Sequence, residues 1–304
     1  MMKNSVRSKR ISKQLLPCLL ILLQSFLYGF GDPVSKVAYE AMPVFSLLTV
    51  RYLIAFVVLC FIGGRDMVGE LKTASVKAWL PPSLCIACCY VISNIALKLT
   101  AATSVAFLRS MSTIMTPLLS SVFFGKRYGW KHVLIQILVL VGLYLLCGYG
   151  GLSGFGWGEV LALISALLMA GTLLFGQNAL RGIRPLTLTT VQAAASAFVA
   201  GICAILFDGG FDISSAAPVV WGIILYLALA CTAAGYLLQN TALRSISAKT
   251  VALLQCACPV MTALFSFLIL SEHMSAAGLI GAGILLLCVA AEILIGEDSE
   301  KQNR

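Results

Sequence analysis

Ten apolar runs, parted by short charged or turn-rich segments, leave this 304-residue chain little choice of architecture. They occupy positions 15–38, 45–62, 76–97, 103–124, 132–148, 157–177, 187–207, 219–239, 248–270 and 276–295. A helix of about 20 apolar residues crosses a bilayer, and each run is close to that length. Composition agrees, with 60% of residues apolar and 11% charged, against about 25% charged in a soluble domain. Unpaired backbone groups are costly in hydrocarbon, so each run has to be a helix. A transmembrane barrel would show short segments of alternating polarity, and the sequence has none. The expected fold class is therefore an all-α polytopic membrane protein with ten transmembrane helices.

The net charge is +9, and its placement decides what it means. With the amino terminus in the cytoplasm, ten crossings gather Lys3, Arg7, Lys9, Arg10, Lys13, Arg65, Lys72 and Lys77 inside. Lys126, Arg127, Lys131, Arg181, Arg184, Arg244, Lys249, Lys301 and Arg304 join them. Only Lys36 and Lys98 fall outside, while Arg51 and Arg109 lie within spans. Positive charge kept on one side is a topology signal, so nucleic acid is not an expected partner and both termini are expected in the cytoplasm. A basic start before an apolar run also describes a signal peptide. Here the run continues through Gln24 and Tyr28 without a small-residue cleavage site, so it is read as a retained first helix.

The chain also repeats itself. Asn94 and Asn240 are 146 positions apart, and that shift carries Cys85, Ala87 and Tyr90 onto Cys231, Ala233 and Tyr236 without a gap. It also carries Met115, Thr116, Leu118 and Ser120 onto Met261, Thr262, Leu264 and Ser266. Matches of Ala and Leu are cheap between membrane helices, but Asn, Tyr and Cys in one register are not. The shift pairs runs three and four with runs eight and nine, so the unit has five helices. Five crossings invert the second copy in the membrane. The expected organisation is a basic tail at 1–14, a first repeat at 15–149, a second at 150–296 and a short tail at 297–304. Inverted repeats place a binding site near the midplane, where the halves meet.

Two stretches resemble a known family. Gly31-Asp-Pro-Val-Ser-Lys-Val-Ala38 followed by Leu48-Thr-Val-Arg-Tyr52 resembles the first two helices of the EamA branch of the drug/metabolite transporter superfamily. Asn240, Ala248-Lys-Thr-Val-Ala252, Pro259 and Ser271-Glu-His-Met274 are similar to that family's closing signature. The first half departs from the pattern at Lys126-Arg127 and at Pro117. The resemblance implies two five-helix repeats in the cytoplasmic membrane that move a small organic solute, often outward. The partners expected are that solute and the bilayer, and a homodimer fits; no cofactor is implied.

An ionisable group within a span usually serves a cavity or a partner. Arg51 and Arg109 are the deepest basic residues, and the repeat places Gln255 opposite Arg109. Arg109 is assigned to a central cavity; Arg51 fits either a cavity or a bond to helix carbonyls. Gln24, Tyr28, Lys36, Tyr90 and Tyr236 complete the expected solute-binding set. Gln177, Gln239, Asn94 and Asn240 offer further hydrogen bonds, although such residues often tie membrane helices together, and the two asparagines suit helix caps. Asp32 and Lys36 have the spacing of an ion pair at the outer end of the first helix, beside the helix-bending Pro33. Glu159 suits a cap at a helix start. No other carboxylate sits obviously within a span, which leaves energy coupling open.

The cysteine clusters at 85–89 and 256–258 lack further ligands for a metal, because His132 and His273 stand at helix ends. A hydrolase reading rests on Gly151-Leu-Ser153-Gly154, which resembles the serine motif of intramembrane proteases, with His273 as the base within reach of the same outer side. A membrane regulatory protein that moves nothing is the third reading. A polar central cavity separates the first reading from the other two.

Overall fold

The backbone of residues 2–125, 130–145, 156–209, 218–271 and 275–299 is described in a computed structural model, and side chains at 15–64, 66–123, 125, 134–145, 156–209, 218–271 and 275–293. Every regular element among these residues is a helix. In chain order they are α1 (Met2–Ala41), α2 (Val44–Thr73), α3 (Val76–Leu99), α4 (Ala102–Arg109), α5 (Ser112–Phe124) and α6 (Trp130–Leu143). Then come α7 (Trp157–Ala179), α8 (Pro185–Phe207), α9 (Pro218–Tyr226), a π-helical segment (Leu227–Ala234) and α10 (Gly235–Leu243). The chain closes with α11 (Ala248–Leu254), α12 (Ala257–Leu270) and α13 (Ala276–Ser299). Nine segments of the described residues are long and apolar enough to cross a bilayer, and α6 contains a shorter apolar helix, Leu134–Leu143. That helix falls in the fifth expected run, whose end at 146–148 lies outside the described residues. Phe61, Ile62, Phe198, Leu206 and Phe207 stand exposed on the outside of the bundle, as lipid-facing residues would.

Two of the expected spans are broken helices. The fourth interrupts at Ser110-Met111 and the ninth at Gln255-Cys256. A shift of 146 carries α4 onto α11 and α5 onto α12 to within one residue. Both broken pairs end on a left-handed residue, Gly125 at φ 61° and Ser271 at φ 55°, again 146 apart. Pro259 explains the second break, since it has no N–H to offer the Gln255 carbonyl one turn earlier. There the Cys256 N–H bonds the Leu253 carbonyl, and the Ala252 carbonyl accepts Thr113 Oγ1 at 2.8 Å. Thr113 is the repeat counterpart of Pro259, so each break leans on the other. Pro117 frees the Thr113 carbonyl, which accepts Gln136 Nε2 at 2.9 Å. In contrast, α1 continues as one helix through Pro33.

Helix packing follows pairs that exchange the two halves. α1 packs on α12 while α7 packs on α4 and α5; α3 packs on α7 while α1 packs on α10 and the π segment. α2 lies against α8 and α6 against α13. The closest approach is at Gly29, where an added Cβ would fall 2.3 Å from Met261 Cβ and 2.9 Å from the Thr262 nitrogen. Cys231 meets Gly31 across the bundle, and its counterpart Cys85 meets Gly171; an added Cβ would lie 2.7 and 3.2 Å from the respective Sγ atoms. Small residues at such crossings let helix backbones approach where lipid offers no hydrophobic drive.

The α2–α8 pair is clamped at both ends. Asp208 Oδ2 accepts Ser46 N at 2.8 Å and Ser46 Oγ at 2.9 Å. At the far end Glu70 accepts the Arg184 N–H at 2.8 Å, Arg184 Nε at 3.2 Å and the Thr187 hydroxyl. Burial pushes the Glu70 carboxyl up, but the bonds from Thr187 and Arg184 outweigh it and hold it below its ordinary value. A depressed carboxyl stabilises the fold above its ordinary pKa and loses that contribution as pH falls through the folded value. Glu70→Gln is expected to cost about 1–3 kcal/mol at neutral pH. Thermal unfolding in detergent should show the loss at pH 7 and converge with wild type on acidification.

Candidate functional site

The two helix breaks meet at the centre of the bundle. Arg109 is the last residue of α4, and Gln255 directly follows α11. Between them lies a cavity of about 30 Å³. α1 contributes Gln24, Ser25 and Tyr28; the first break contributes Arg109, Ser110 and Ser112; the second contributes Gln255 and Cys258. Tyr90 of α3 and Met169 of α7 close the walls. A water needs about 10–15 Å³, so the cavity has room for two or three waters and is too small for an organic solute as it stands.

Arg109 brings a buried ion pair to one side of the cavity. Arg109 Nη2 donates to Asp32 Oδ2 at 2.7 Å, and Nη1 approaches Oδ1 at 3.5 Å. The two side chains are 9% and 12% exposed, too little for water to neutralise either charge. Asp32 Oδ2 also accepts Thr262 Oγ1 at 3.5 Å. This corrects the expected pairing: Asp32 pairs with Arg109 rather than Lys36, whose Nζ donates to the Thr100 carbonyl at 3.1 Å. The Asp32 carboxylate lies inside the bundle. Pairing across 77 residues wins because Arg109 has nowhere else to place its charge.

Two amides, Gln24 and Gln255, also line the cavity, with Gln239 bonded behind them. Gln24 Nε2 donates to Gln239 Oε1 at 3.0 Å, and Gln255 Nε2 donates to Gln24 Oε1 at 3.1 Å and Gln239 Oε1 at 2.9 Å. The Tyr28 and Tyr90 hydroxyls have no hydrogen-bond partner among the described residues. They face a cavity in which a polar ligand could supply one.

A smaller cavity of about 10 Å³ continues from the first, sharing Tyr28, Tyr90 and Arg109 and reaching Asp32, Asn94 and Arg51. Arg51 Nε donates to Thr232 Oγ1 at 2.8 Å, and its guanidinium lies 5.3 Å from the Tyr52 ring centre. Thr232 sits in the π segment, bonded to the Leu227 carbonyl five residues back at 3.0 Å. Among the described residues Arg51 forms no ion pair. The two cavities together thus hold two guanidiniums and one carboxylate, an excess of one positive charge.

Of the eight expected site residues, Gln24, Tyr28, Tyr90, Arg109 and Gln255 come together at the first cavity and Arg51 at the second. Lys36 and Tyr236 line neither. Tyr236 stacks behind Tyr90, ring centres 5.5 Å apart at 23°, so the two repeat-related tyrosines meet. The asparagines are not caps: Asn94 Oδ1 accepts the Tyr39 hydroxyl, and Asn240 Nδ2 donates to Thr189 Oγ1 at 2.9 Å and Gln192 Oε1 at 2.7 Å. Glu159 does cap its helix, accepting Gly156 N at 2.9 Å and Thr100 Oγ1 at 2.6 Å. Ser112 and Cys258 were missed although the 146-residue shift relates them. Ser153, His273 and Lys126-Arg127 lie outside the described residues.

A many-span helical bundle with a charged, polar centre has the architecture of a membrane transporter. The model of the EamA-like transporter family matches residues 15–148 and again 156–291, and the chain belongs to that family. An uncharacterized transporter of Archaeoglobus fulgidus is 26% identical over 278 residues, 91% of this chain and 85% of the relative. One from Synechocystis sp. is 25% identical over 203 residues, 63% of this chain and 57% of the relative. A solved crystal structure superposes with a TM-score of 0.74 at 19% identity, covering 93% of this chain and 97% of its own, which shows a shared fold.

Removing one partner of a buried ion pair costs more than removing both. Arg109→Ala alone is expected to destabilise by about 3–5 kcal/mol, and adding Asp32→Ala should recover part of that loss. A double-mutant cycle on thermal unfolding in detergent reads the coupling.

Proposed function

We propose that this protein is a secondary carrier for a small organic solute bearing one carboxylate or a comparable single negative charge. The observation that carries the reading is the one uncompensated positive charge, shared by Arg51 and Arg109, beside a polar cavity at two helix breaks. Helix breaks expose backbone and side-chain polar groups that continuous membrane helices keep to themselves. Arg109 and Arg51 hold the anionic group, the Gln24–Gln239–Gln255 amides bond the polar body, and Tyr28, Tyr90 and Met169 pack its apolar part.

The carrier works by alternating access between two inverted five-helix repeats, ten spans in all. The family match in two segments, the paired helix breaks and the packing that exchanges the halves support this reading. Rocking the halves opens the small central cavity first to one side and then to the other. The protein sits in the cytoplasmic membrane with both termini inside, following the charge bias, and exports its solute.

The test is a metabolite-export screen in cells with and without the protein. Excess appearance of one anionic metabolite outside the cell is expected. In cells expressing Arg109→Lys at wild-type level, export should fall at least tenfold, because a point charge cannot replace the guanidinium fork. Unchanged export in Arg109→Lys and Arg51→Gln together would remove the anion from the account.

A further inference from the structure

We propose that Asp32 is a built-in competitor for Arg109, displaced by the solute's carboxylate and protonated as it leaves, so that anion and proton cross together. The inference rests on the reading of Arg109 as the solute's anchor. Asp32 already presents to the guanidinium the two-oxygen face that a solute carboxylate would present, at 2.7 and 3.5 Å. A planar guanidinium binds either carboxylate in the same fork. Arg109 borders both cavities and Asp32 the smaller one, so a solute in the larger cavity reaches Arg109 from the side away from Asp32.

The displaced carboxylate has poor alternatives. Thr262 Oγ1, at 3.5 Å, offers one neutral donor. Arg51 borders the same small cavity, but in the loaded site it is engaged, with Arg109, by the solute's own carboxylate. A buried carboxylate that loses its cation takes up a proton rather than remain charged. The ionisable groups around Asp32 are Arg109 from α4, Arg51 from α2, Tyr90 from α3, Tyr226 from α9, Cys231 from the π segment, Cys258 from α12, and Tyr28 and Tyr39 on its own helix. Phenols, thiols and guanidiniums ordinarily ionise above pH 8, which leaves the displaced Asp32 carboxylate as the group that accepts the proton.

The charges balance. Before binding, the site holds two guanidiniums and one carboxylate. After binding it holds two guanidiniums, the solute carboxylate and a neutral Asp32, with the proton drawn from water on the side the solute entered. The site therefore carries the same charge empty and loaded, and net transport moves the acid without moving charge.

The experiment uses the full-length protein in detergent under weak buffering, with benzoate and lactate as probes and a pH-indicator dye to count protons. About one proton taken up per bound anion is expected near pH 7, with the apparent Kd rising about tenfold per pH unit, as one linked proton requires. Asp32→Asn should bind at least tenfold more tightly at pH 8, with no proton uptake and no pH dependence. The wild-type proton count stands alone if that variant does not fold. Anion binding that Arg109→Lys weakens, yet without proton uptake, overturns this inference and leaves the carrier reading intact. Failure of both probes to bind wild type at any pH contradicts the anion anchor beneath it, and this inference falls with it.

Discussion

Two opposite charges that cannot reach water hold this molecule's centre in place. The guanidinium of Arg109 enters from the end of α4, and the carboxylate of Asp32 comes from α1. Each would be costly alone, and together they fix where α1 must lie against the broken helix. The glycine at position 29 then lets α1 settle onto α12, where any side chain at that position would run into Met261 and Thr262. The site and the packing are thus one arrangement.

The helix breaks show how a membrane protein frees polar groups without leaving them stranded. Each interruption releases carbonyls that the lipid cannot satisfy. The Ala252 carbonyl is taken by Thr113 from the other half, and the Thr113 carbonyl by Gln136. The hydroxyls of Tyr28 and Tyr90, without a hydrogen-bond partner among the described residues, stand at a cavity wall.

Most of the architecture could be read from apolar run lengths, because bilayer thickness sets them. The 146-residue shift also foretold that Arg109 and Gln255 face one space. Three features stayed hidden for physical reasons. The Asp32–Arg109 pair joins helices far apart in sequence, whereas Lys36 one turn away looked sufficient by spacing alone. The broken helices at 110 and 255 read as continuous because hydropathy does not register a lost hydrogen bond, and only Pro259 hinted at one of them. Tyr236 looked like a site residue by its kinship with Tyr90, yet that kinship places the two rings face to face, so one hides the other.

Access to the central cavity from both faces of the membrane is the heart of the account. Cys258 lies in the cavity wall beside Arg109 Nη2, 3.6 Å away, and can report that access without mutation. A membrane-impermeant thiol reagent would be added to one face or the other of sealed vesicles, and modification at Cys258 read by peptide mass. Labelling from either face, slowed in both cases by a bound solute anion, is the expected result. Labelling from one face alone under every solute and pH condition would contradict the account.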